Sequence, residues 1–185
     1  MRFPLRDQLE LPCVFERLVP GEQHADGRRY LPLLLLRPTG STALLPAEML
    51  LGVVDRHHKV DAAAVGRRGV ARLIFALSTL RVQTPPLRQG LAPEANWCAG
   101  VSTNPTALGR VVAVSAWEVT RGQLPYEALY AELTLDIGLG VIGTRTSLTA
   151  NDLEATIGKA RVEPGDAVAL SQSRIDILGF EASDE

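Results

Sequence analysis

Apolar and polar residues alternate along "LELPCVFERLV", residues 9–19, with Leu9, Leu11, Cys13 and Phe15 to one side. Glu10, Pro12 and Glu16 fall to the other side, and this period of two predicts a half-buried strand. Pro12 has no N–H to give a ladder, so the strand is expected at an edge or with an irregular start. The polar run "PGEQHADGRR" predicts a turn, and "YLPLLLLRP" a more buried second strand that Pro38 and Gly40 stop.

Helical signals follow. In "STALLPAEMLLGVVDRHH", Pro46 suits a first helical turn, Glu48 suits its positive end, and Met49, Leu50 and Val53 form an apolar stripe. Asp61 to Ala64 reads as a capped start of another helical piece, interrupted by "GRRG". From Val70, apolar residues recur at Leu73, Ile74 and Leu77, which favours a helix over 70–81. The same run is also apolar enough for a buried strand. Residues 84–109 are rich in proline and glycine and read as a long connection that packs down or carries contacts.

The second half is plainer. "RVVAVSAWEV", residues 110–119, predicts a strand and "TRGQLPYE" a turn. One long strand is expected from Leu129, with Leu133, Leu135, Ile137, Leu139 and Val141 on one face and Thr134, Asp136, Gly138 and Gly140 on the other. "SLTANDLEATIG" predicts a short helix, capped by Thr149 or Asn151 and ended by Gly158. "VEPGDAVALSQ" turns at Pro164-Gly165-Asp166 into a strand, and "RIDILGF" gives another.

Gly138, Gly140 and Gly143 are spaced as G-x-G-x-x-G, with Glu163 roughly where a ribose-binding acid would stand. A dinucleotide loop needs a helix to spring from its last glycine, and "TRTS" opens one poorly. The apolar alternation passes straight through Gly138 and Gly140. The motif reads as sheet, and no cofactor is expected.

"TALLPAEM" from Thr42 and "TSLTANDL" from Thr146 align without gaps, each after two strands and a polar turn. The chain therefore reads as β-rich α+β: one or two small closed or half-closed β-barrels with a few short helices. Two duplicated strand-strand-helix-strand units would fit, although the helix favoured over 70–81 conflicts with that repeat. The divisions are 1–83, a connection over 84–109, and 110–185, with the two units forming one domain. The run "LTANDLEATIG…VEPGDAVAL" resembles the helix, Pro-Gly-Asp and strand element of swapped-hairpin and double-psi barrels. It is also similar to the surface-presentation domains of secretion and flagellar switch proteins, which place fewer residues before Pro-Gly-Asp.

Composition narrows the function classes. The chain has 185 residues, 46% hydrophobic and 22% charged, with a net charge of −2. This fits an ordinary globular protein and supplies no field to steer nucleic acid or bind a membrane. Cys13 and Cys98 stand far apart without metal-ligand spacing, as expected of reduced thiols in a cytoplasmic protein. Arg67, Arg68 and Arg72 are a weak candidate for phosphate or nucleic-acid contact. Asp55, His57, His58 and Asp61 form the one cluster of metal-competent side chains. On a continued helix Asp55 and His58 would share a face, and a small metal-dependent hydrolase is the alternative function. Asp136 is a candidate to meet Arg145 or an arginine of "GRRGVAR". The leading expectation is a β-rich module that acts through protein contacts in a homo-oligomer, its catalytic residues, if any, unknown.

Overall fold

The computed structural model describes residues 5–41, 44–118, 129–146, 158, 162–171 and 174–183. Among them the chain runs through β1 (Leu11–Val19), β2 (Leu33–Pro38), β3 (Leu50–Val54), β4 (Arg68–Val82), β5 (Gly90–Ala92) and β6 (Val101–Ser102). It continues through β7 (Thr106–Glu118), β8 (Leu129–Asp136), β9 (Val141–Thr146), β10 (Ala167–Ser171) and β11 (Arg174–Ala182). Helix is confined, among the described residues, to two single 3-10 turns, Arg6–Gln8 and Ala62–Ala64. The β-rich expectation holds, and the helices expected within the described residues are otherwise replaced by strand. No described helix is long and apolar enough to cross a membrane.

Five strands close a barrel. β4 pairs with β10, β10 with β7, β7 with β8, β8 with β9, and β9 returns in parallel to β4. Closure leaves those shared edges satisfied by backbone partners. The remaining long strands form a second cycle through the same β4: β1–β2–β3–β11–β4–β1. Its β3–β11 step is a single parallel pair, Val54 with Asp176.

The two cycles follow one pattern. Each runs antiparallel, antiparallel, parallel, antiparallel, antiparallel, and the registers correspond. Leu11 faces Ala71 as Ala107 faces Leu170. Phe15 faces Leu36 as Val111 faces Leu135, and Leu36 faces Leu51 as Leu135 faces Ile142. Ala71 faces Phe180 as Leu170 faces Leu80. Bulges interrupt β1 between Phe15 and Arg17, and β7 between Val111 and Ala113. Beside each bulge a positive-φ glycine donates to the strand: Gly66 N–H to Phe15 O, and Gly165 N–H to Val111 O. The return bonds run from Phe15 N–H to Arg67 O and from Val111 N–H to Asp166 O. In this correspondence β11 holds in the first cycle the place that the second half of β4 holds in the second.

β4 explains why a helix was favoured over 70–81. A strand covered on both faces reads as a continuous apolar run rather than an alternation. Ala71, Leu73 and Phe75 enter the main core, while Ile74 on the opposite face packs with Leu9, Leu5 and Leu178. The apparent helical spacing comes from superimposing two strand faces. The expected helix from Pro46 is likewise corrected: Met49 N–H closes one turn onto Pro46 O, and the chain then extends as β3. Valine and glycine in "LLGVV" are poor helix formers, and Leu51 and Val53 gain a buried face as strand. Asp61 does cap a turn, accepting from Ala63 N–H at 2.9 Å, but it is the short one before Gly66.

The glycine-rich stretch is a hairpin, which corrects the single long strand from Leu129. β8 ends at Asp136, Ile137 N–H donates to Gly140 O, and β9 begins at Val141. Gly143 lies within β9, so no helix springs directly from it. Gly140 has φ +149, and a Cβ there would run into the Glu10 carbonyl. The connection over 84–109 is not structureless: β5 pairs with β7 and β6 with β3. The aligned segments that suggested a repeat occupy different places. Residues 44–49 lead into β3, whereas Thr146 ends β9. The expected turn over 120–127 lies outside the described residues, as does the expected short helix after β9 except for Gly158.

Candidate functional site

At the end of β3 the chain turns through Asp55–Asp61, where the metal-competent residues were expected to gather. Asp55 is 3% exposed, and its carboxylate is taken up by the loop's own backbone. Oδ1 accepts from His57 N–H at 3.2 Å and Lys59 N–H at 2.9 Å, and Oδ2 from Val60 N–H at 2.9 Å. This is the local capping chemistry of aspartate in turns. It also holds His58 at φ +49. His57, His58 and Asp61 are exposed. Among the described residues, no three His, Cys, Asp or Glu side chains gather in an arrangement that could hold a metal ion.

The other nominated side chains also have local partners. Asp136 Oδ1 accepts from Gly138 N–H at 2.8 Å inside the hairpin turn, instead of meeting an arginine. Arg145 pairs with Glu132 across β8 and β9, with Nε 2.7 Å from Oε1. Glu132 is the group the sequence did not single out. Its side chain is 1% exposed, and its buried Oε2 has no hydrogen-bond partner among the described residues. Burial pushes this carboxyl above the usual range, and Arg145 only partly counters it. Alternation along a strand marks residue 132 as facing away from Leu133. It cannot reveal that this second face is also covered.

Around the β5–β6 connection, Glu94 acts as the organiser. Its carboxylate accepts from Ser102 Oγ and from Thr103 N–H at 3.4 Å. Burial raises this carboxyl, but the hydrogen bonds from Ser102 and the backbone outweigh it and leave the group below its ordinary value. Trp97 Nε1 donates to Gly100 O at 3.3 Å, tightening the same loop. Cys13 sits in the core, where burial pushes its thiol up to about 12, and Cys98 is exposed. Arg67 Nη2 donates to Ser183 O, Arg72 pairs with Glu181, and Arg68 is exposed.

β7 presents backbone groups where those residues present side chains. Up to Val111 its outer edge is occupied by β10 and by the Gly165–Asp166 backbone. From Val112 to Glu118 it has β8 on one side and, among the described residues, no strand on the other. Val112 and Val114 are 45% and 36% exposed there. "VAVSAWE" is apolar and contains no lysine, proline or glycine, the residues that usually guard a strand edge. Among the described residues, this stretch of sheet edge has no partner strand. No protein-family model matches the chain, and neither a curated protein nor a solved structure does.

Proposed function

We propose that the protein is a β module that works through protein contacts, as a homo-oligomer. The observation that carries this reading is the edge of β7 over Val112–Glu118, with exposed Val112 and Val114 and no partner strand on its outer side among the described residues. An unpaired strand edge is a template for another chain. The contact chemistry is main-chain hydrogen bonding reinforced by apolar side chains.

We also infer that the chain is a duplication of a five-strand unit in which each copy gives its last strand to the other. The support is the correspondence between the two pairing cycles, which differs from the alignment of Thr42 with Thr146. An architecture of two units completing each other is an association of subunits carried within one chain.

Light scattering on the intact chain over a wide concentration range tests the functional reading. A mass of two or more chains that falls on dilution is expected. A monomer mass at every concentration would end it.

A further inference from the structure

We draw no further inference here: the strongest candidate, the half-buried apolar patch that Val19, Leu33 and Val54 form side by side across β1, β2 and β3 on the sheet face away from the core, carries nothing, because nothing in the structure shows what covers it.

Discussion

Glu10 and Val141 exchange two backbone hydrogen bonds, Glu10 N–H to Val141 O at 2.9 Å and Val141 N–H to Glu10 O at 2.8 Å. They join the residue before β1 to the first residue of β9, and so tie the two pairing cycles together away from β4. Gly140 makes this approach possible, because any side chain there would meet the Glu10 carbonyl. Gly140→Ala is therefore expected to destabilise the protein by about 1–3 kcal/mol, from strained φ and the displaced bridge. Chemical denaturation checks it, and an unchanged midpoint would contradict the close approach.

The connection between the halves should be dispensable once the chain has folded. β11 lies in the first cycle and β4 serves both, so the pieces on either side of residues 87–88 are interlocked by strand pairing. A specific protease site inserted between the exposed Leu87 and Arg88, then cleaved, is expected to leave both fragments in one peak on gel filtration. Separation without denaturant would contradict the interleaved topology.

Glu132 should impose a pH dependence of definite sign. Its folded-state carboxyl is raised, so the folded state holds that proton more tightly than the unfolded state does. Its stability contribution is present below the ordinary carboxylate value and lost as pH rises through the raised one. Melting temperatures of wild type and Glu132→Gln, followed upward from acidic pH, should diverge in that direction. The wild-type advantage should shrink, or its deficit grow, as pH increases. A constant difference would mean that the buried carboxyl is not shifted.

Thiol reactivity separates the two cysteines. Cys98 is exposed, and Cys13 is a buried thiol pushed to about 12. A disulfide reagent at neutral pH should label one thiol in the native protein and both in denaturant. Two equally fast native reactions would place β1 outside the core.

Much of this fold was legible where a strand has one wet face. β1 shows it in Leu11, Cys13 and Phe15, and β2, β10 and β11 follow their apolar runs. β4 was not legible, because Ile74 is covered by Leu9, Leu5 and Leu178 on the side opposite Phe75. The hairpin at Gly138 was hidden for a related reason: Ile137 and Leu139 stay buried in the turn and prolong the alternation. The cluster at Asp55 was visible as composition, but the carboxylate's commitment to three amides depends on a loop geometry no spacing rule gives. The β7 edge was read as a strand without its pairing, which is set by where β10 stops.

Hydrogen exchange of the β7 amides as a function of protein concentration tests the central claim most directly. Protection over Val112–Glu118 is expected to rise with concentration while the amides of β4 stay unchanged. Exchange along that stretch equally fast at low and high concentration would contradict the account.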